Sequence, residues 1–400
     1  MTNWKFVRLE EIATVERGKF SARPRNDPKY YGGNIPFLQT GDVASATGVI
    51  ESYSQTLNDE GLKVSRLFPA GTLLITIAAN IGDIAEVGFD FACPDSLVAI
   101  RPQKGTSKDW LKYFLQTQKY YFKSRATQNA QANINLHTIK PLSVNLPPFN
   151  EQTAIASLLS TWDKAIEKTE RLIGAKESRF KWWLNKLFID GSVSDEWKSV
   201  KLGDVATILK KLPLSSVEGK TLLTVKLHCL GIEANTRIKP KLTERGRPYY
   251  TREAGEFLIG RQNFHNGGFG IVPAHLDGYI ASNAITSLSL KSYKLISDFL
   301  FYYFCRRDYY KRVGQIMDGT GQKELSDKQI LKLKLNLPNL NIQKTIADTL
   351  NTAQQEINLL KKQLNAYKTQ KRGLMQKVLT GRWRVKGAQT CTDSTDRAGT

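Results

Sequence analysis

The chain has 400 residues, 41% of them hydrophobic and 10% aromatic, which is enough apolar surface for two or three folded cores and excludes a disordered polymer. Its 58 Lys and Arg against 37 Asp and Glu leave a net charge of +21, favouring a polyanionic partner, with nucleic acid ahead of a membrane surface. The longest apolar run, "GTLLITIAANIG", is too short to span a bilayer and no leader or lipidation motif is legible, so a cytoplasmic protein is expected. Cysteines 93, 229, 305 and 391 show neither CxxC nor zinc-finger spacing with the four histidines, which speaks against disulfides and structural zinc.

The first legible element is "WKFVRLEEIATV", Trp4 to Val15, and it returns as "WKSVKLGDVATI", Trp197 to Ile208, with six of twelve positions identical and four chemically similar. The echo continues in order. "AGTLLITIAANIGDIAEV" from Ala70 is answered by "AGEFLIGRQNFHNGGFGIV" from Ala254, and "DWLKYFLQTQKYY" from Asp109 by "DFLFYYFCRRDYY" from Asp298. Then "VNLPPFNEQTAIASLL", from Val144, is answered by "LNLPNLNIQKTIADTL", from Leu335. A head-to-tail duplication therefore organises the chain. Within each copy the β-branched runs "LLITIA" and "SLVAI", then "FLIG" and "YIASNAITSLSL", read as strands of a mixed α/β domain spanning residues 1–149 and 197–340. "ANIGDIA" and "FHNGGFG" read as tight hairpin turns.

Each copy closes on a long helical segment, residues 150–190 and 341–381, with apolar residues at alternating spacings of four and three. In the first the seam is Ile155, Leu159, Trp162 and Ile166, then Ile173, Phe180, Trp183 and Leu187. In the second it is Ile346, Leu350, Ile357 and Leu360, then Leu364, Tyr367, Leu374 and Val378. The shared register predicts that the two helices pair in a coiled coil about 48 Å long at 1.5 Å per residue. Residues 191–196 read as a linker and 382–400 as a disordered tail.

Catalytic motifs fail on inspection. Leu146-Pro147-Pro148-Phe149 resembles the proline tetrad of amino-methyltransferases, but Leu146 stands where a hydrogen-bond acceptor is needed, and no Gly-rich cofactor turn occurs in both copies. "SVEGKT" lacks the first glycine of a phosphate-binding loop, and no Ser/His/Asp or Cys/His set is legible. The prolines read instead as strand terminators, with Asn150 able to cap the following helix and Gln152 in its first turn.

Two globular copies, each followed by an "LPPFNEQ"-like hinge and a long helix, resemble the DNA specificity subunit of type I restriction-modification enzymes. The resemblance rests on the repeat openings, on "YYGGNIPFLQTGDV" at Tyr30 to Val43, and on the hinge. The second copy departs from it at Asn339 and Ile342 and lacks a clear "GGxP" stretch. The resemblance implies two target-recognition domains, each reading one half of a split, asymmetric DNA site, on an antiparallel coiled coil. It also implies two methyltransferase (modification) subunits docked on the helices and on a hinge made by Pro147, Pro148, Phe149, Gln152, Pro338 and Gln343, with restriction (motor-nuclease) subunits joining them. AdoMet, ATP and magnesium would then belong to the partners. No cofactor, metal or catalytic residue is expected in this chain. The rival readings are a stand-alone repressor or architectural DNA binder, and a self-contained methyltransferase or nuclease.

Base edges and phosphates call for Arg, Lys, Asn and Gln in loops. In the first copy these are Lys19, Arg23 and Arg25, then Gln39 and Thr40, then Gln128, Asn129, Gln131 and Asn133. In the second they are Arg245, Arg247 and Arg252, then Arg261, Gln262, Asn263 and Asn266, then Gln322 and Lys323. Residues 1–149 hold 17 basic and 13 acidic side chains and 197–340 hold 23 and 12, so the stronger phosphate contacts are expected of the second copy.

Overall fold

In the first copy, strands β1 (Lys5–Arg8), β2 (Ala13–Arg17), β3 (Val49–Ile50), β4 (Leu73–Thr76), β5 (Ile84–Val87) and β6 (Leu97–Pro102) precede helix α1 (Lys108–Thr117), strand β7 (Ser143–Leu146) and the long helix α2 (Phe149–Ser192). Five of these strands form one sheet in the order β2-β6-β4-β5-β3, antiparallel except for the β5–β3 pair. All four residues of β4 are buried, which explains why "LLITIA" is a continuous apolar run and not an alternating one. Strand β1 stays outside that sheet and pairs with β7, Lys5 opposite Leu146, so the start of the copy lies beside the hinge.

The second copy repeats the plan. It runs through β8 (Lys198–Lys201), β9 (Ala206–Ile208), β10 (Leu222–Val225), β11 (Ile232–Asn235), β12 (Tyr249–Thr251), β13 (Phe257–Gly260), β14 (Phe269–Ile271), β15 (Ile280–Ser282) and β16 (Ile285–Leu290). Helix α3 (Ser297–Cys305), strand β17 (Lys334–Leu337) and the long helix α4 (Leu340–Val378) follow. Its main sheet has the order β9-β16-β13-β14, matching β2-β6-β4-β5, and β8 pairs with β17 as β1 does with β7. A second sheet, β11-β10-β15-β12, has no four-stranded equivalent among the described residues of the first copy. The run "YIASNAITSLSL" is thus two strands in two sheets, parted at Asn283 and Ala284.

A computed structural model describes residues 4–46, 48–126, 133–192, 197–243, 246–315 and 324–385. It divides into two compact units, Met1–Thr169 with Leu364–Thr400, and Glu170–Gln363, so each long helix contributes to both. The expected tail and linker are both shorter than 382–400 and 191–196: Arg384 bonds Glu151 and α2 runs through Ser192, while residues 386–400 and 193–196 lie outside the described residues.

Within each unit the two long helices run antiparallel. In the first, Trp162 meets Tyr367 edge-on at 5.8 Å and Asp163 pairs with Lys371; in the second, Lys176 pairs with Glu356 at 2.6 Å and Glu177 with Lys361 at 2.7 Å. Numbers rise on one helix as they fall on the other. The seam is uneven: Ile155, Leu159, Leu374 and Val378 belong to the core under the first sheet, and Phe180, Trp183, Leu187, Ile346 and Leu350 to the core under the second. Ile173 and Ile357 are buried, whereas Trp162, Ile166, Leu360, Leu364 and Tyr367 are half-buried. Two polar seam positions, Lys176 and Lys371, carry the ion pairs just named, a device that fixes register.

Each hinge is locked by a buried glutamine. Gln152 Nε2 donates to the carbonyls of Pro147 at 2.9 Å and Gly105 at 3.3 Å, while its Oε1 accepts the Ser107 N–H at 2.7 Å. Gln343 repeats this with Pro338 at 2.9 Å, Lys294 at 3.0 Å and the Ile296 N–H at 3.0 Å. Both carboxamides are therefore satisfied within their own copy, tying the start of the long helix to the start of α1 or α3. Helix α2 begins at Phe149, which corrects the assignment of Asn150 as a cap: it lies inside the first turn. In the second copy Asn339, standing where the first has Pro148, accepts the Ile342 N–H at 3.0 Å and is the N-cap of α4, a contact worth about 1 kcal/mol.

The first hinge also gathers the chain's distant parts. Glu151 accepts the Trp4 indole N–H at 2.9 Å and both Arg384 contacts at 2.6 Å. Burial alone would raise this carboxyl, but Arg384 and Trp4 outweigh it and hold it below its ordinary value. Its stabilisation is thus fully present above about pH 4.5 and is lost as pH falls through the depressed folded-state value. Glu151→Gln should be less stable than the parent at neutral pH and should converge on it in acid, as read by chemical denaturation across pH; a constant difference would deny the carboxylate this role. On α4, Ile357→Ala at the seam (2% exposed) should cost about 2–5 kcal/mol and Leu359→Ala off it (64% exposed) less than about 0.5. Equal losses in urea unfolding would count against helix pairing.

Candidate nucleic-acid interface

The first unit opens a cleft of about 650 Å³ between the segment after β2 and the turn before β6. Phe20, Tyr31 and Phe37 floor it, their ring centroids 4.9 to 6.2 Å apart, and Arg25, Gln39 and Gln55 stand on its rim. Gln39 precedes a short helix, Thr40–Ser45, and its backbone N–H donates to Asp42 at 2.7 Å, which fixes where its side chain emerges. From there its Nε2 donates to Gln55 Oε1 at 3.1 Å. Two coupled carboxamides over an aromatic floor suit the paired donor and acceptor of an adenine edge.

Arg25 is held at the rim by Asp95, 2.9 Å from both carboxylate oxygens. Lys19 and Arg23 are exposed, Arg23 donating to the Ala22 carbonyl at 2.7 Å, and Thr40 is half-buried. Asn133 pairs with Ala78 beyond β4 and does not line the cleft. Gln128, Asn129 and Gln131 lie outside the described residues.

The second unit has a cleft of about 370 Å³ at the corresponding place, between Leu209–Lys211 after β9 and the start of β16, where Asn283 and Ile285–Ser287 line it. Arg252 is not the exposed loop residue the sequence suggests. It is 3% exposed, donates to the Ile285 carbonyl at 2.9 Å, and lies 3.9 Å from Glu256 and 5.5 Å from the Tyr250 ring. Burial pulls its pKa below the usual arginine value against the opposing pull of Glu256. Arg261 is likewise held by the Leu325 carbonyl at 3.1 Å and Glu324 at 2.8 Å, and Gln262 reaches the same Glu324 at 3.5 Å.

Asn263 and Asn266 form the turn between β13 and β14, Asn266 lying 3.1 Å from His265, and they are not in the cleft. Arg247 is exposed on the approach to β12. Arg245, Gln322 and Lys323 lie outside the described residues. The sequence reading missed Tyr31, Gln55, Lys210, Lys211 and Asn283, all of which line the clefts. Extending the repeat past "ATV" and "ATI" would have flagged the Lys210-Lys211 doublet opposite Arg17 to Lys19.

The first cleft offers paired amides over an aromatic floor, and the second offers Lys210, Lys211 and Asn283 beside Tyr250. Among the described residues no group of three or more His, Cys, Asp and Glu could hold a metal ion, and no helix is long and apolar enough to cross a membrane. The model of the type I restriction modification DNA specificity domain matches the chain twice, over residues 1–175 and 194–368. The chain belongs to this family. It is a specificity subunit, the DNA-recognising and non-catalytic member of a type I system.

This specificity subunit is similar along most of its length to two proteins of Methanocaldococcus jannaschii. It is 22% identical over 407 residues to the type I restriction enzyme MjaVIII specificity subunit, and 24% identical over 417 residues to the putative MjaX specificity subunit. Each comparison covers 96% of this chain and 94% of the relative. In fold it resembles the S subunit from M. genitalium (TM-score 0.60, 16% identity, 94% and 96% of the two chains covered). A chain from a study of complex assembly and conformational transition of the type I R-M system gives a TM-score of 0.59, at 16% identity and 94% and 97% coverage.

For the specificity subunit the two kinds of polar residue should separate on mutation. Gln39→Ala or Gln55→Ala should leave the melting temperature within a few degrees and cost about 1–3 kcal/mol of DNA binding at one base position. Arg252→Ala should instead destabilise the fold, removing a buried side chain and leaving the Ile285 carbonyl without its donor. Binding assays on single-base variants of the target, with thermal melts alongside, distinguish the two.

Proposed function

We propose that the two recognition domains, residues 1–149 and 197–340, read the two halves of a split, asymmetric DNA site, with the long helices setting the spacer. The observation that carries this reading is the duplicated cleft. Both copies place it between the end of the first sheet strand and the start of the last, yet one is rimmed by Arg25, Gln39 and Gln55 and the other is lined by Lys210, Asn283 and Lys211, the last held by Glu253 and Glu256. One scaffold with two sets of side chains reads two different sequences. Lys19, Arg23 and Arg247, exposed nearby, supply phosphate contacts.

Two methyltransferase subunits dock on the helices and hinges in this reading, and restriction subunits join them; AdoMet, ATP and magnesium are theirs. Since Gln152 and Gln343 are buried, the docking surface of the hinge is what surrounds them. At the first hinge this includes Phe149 (53% exposed) and Phe6 (79%), apolar side chains whose cover would be a partner. Their counterparts in the second copy are Leu340 and Ser199.

Mapping methylated adenines across the genome, with this gene intact and deleted, tests the proposal. The expected result is loss of one motif made of two specified halves around an unspecified spacer. An unchanged methylome, with the partner genes expressed, would overturn it in favour of a stand-alone DNA binder.

A further inference from the structure

The hairpin joining β10 to β11 turns on residues that such a turn disfavours. His228 and Cys229 occupy its two central positions with φ of +59° and +58°, the left-handed pair of a type I′ turn, where Asn-Gly is the relaxed choice. Leu230 closes the turn onto the Leu227 carbonyl at 3.3 Å, and the N–H groups of His228 and Cys229 donate to Asn266 and Gly267 at 2.7 and 2.9 Å. A side chain at Gly267 would stand 3.0 Å from Cys229 Sγ, so the tip is seated and not waving. Backbone strain retained in a seated turn points to a use for the side chain it carries.

That side chain meets another thiol. Cys305, the last residue of α3, lies near Cys229, and both line an open cleft of about 540 Å³ with Tyr310, Arg307, Lys181 and Lys361. We propose that Cys229 and Cys305 are a modification site, a dithiol that closes to a reversible disulfide and staples the β10–β11 hairpin to α3. Arg307 and Lys181, with Lys361 and its partner Glu177, line the cleft, and the excess of cations draws in an anionic low-molecular-weight disulfide, of which glutathione disulfide is the probe.

Burial, and after it the neighbouring Cys229 thiol, holds the Cys305 thiol protonated, so Cys229 attacks first. Having released its proton to solvent, it bonds to one sulfur of the glutathione disulfide and expels a glutathione thiolate. Cys305 then loses its proton, attacks the Cys229 sulfur and expels the second. Two protein thiols are oxidised and one glutathione disulfide becomes two glutathiones. The product would hold the hairpin against opening and so alter the mobility of the second recognition domain, independently of which bases that domain reads.

The test uses the full chain with Cys391→Ser, which removes the thiol of the tail, incubated with glutathione disulfide and mapped by peptide mass spectrometry. Expected are a linked Cys229–Cys305 peptide, loss of two titratable thiols, reversal by dithiothreitol, and slower amide exchange over Leu227 to Ile232. Cys305→Ser should trap Cys229 as the glutathione adduct. Should both cysteines stay reduced, or each take up glutathione without linking, the proposal is wrong.

Discussion

Gln152 and Gln343 each satisfy three backbone groups that would otherwise be buried without partners, and both stand at the point where a recognition domain becomes a long helix. A carboxamide offers two donors and an acceptor in one plane, which is what a strand end, a loop carbonyl and a helix-start N–H require here. An unmade bond of this kind costs about 1–3 kcal/mol. The direction of each long helix is thereby set by its own domain, and the seam residues have only to complete an alignment already imposed. The pairing of Lys371 with Asp163 and of Lys176 with Glu356 then selects one register from those an apolar seam would tolerate.

Much of this was legible in the sequence because duplication doubles every weak signal. A single "LLITIA" or a single 4,3 spacing proves little, but the same features in the same order twice point to the strand runs and to pairing of the long helices, whose antiparallel sense came from the family resemblance. The structure altered the reading where tertiary partners decide. "YIASNAITSLSL" has no internal breaker stronger than Asn283, so its division between two sheets could not be seen. Arg252 resembles any loop arginine in a string of letters. Only the nearness of Ile285, Glu256 and Tyr250, set by the sheet, shows that it serves the core.

The hinge changed its meaning for the same reason. Read as letters, Asn339 spoils a proline pair. In three dimensions Pro148 and Asn339 are two solutions to one problem, how to begin a helix after a strand: a ring that needs no N–H partner, or a side chain that supplies an acceptor. The aromatic floor and amide rim of the first cleft, and the meeting of Lys210 with Asn283 in the second, likewise emerge only when residues far apart in sequence are brought together.

The meeting of Trp4, Glu151 and Arg384 has a consequence for how such a gene can vary. Residues that follow the second copy help to floor the first domain, with Val378 and Leu379 in its core. A deletion or exchange that begins in α4 would therefore carry off part of the foundation of the first domain. Recombination that swaps recognition domains while preserving this closure has to cut inside the repeats, leaving both helix ends in place. The unit of exchange is a domain between hinges, not half a gene.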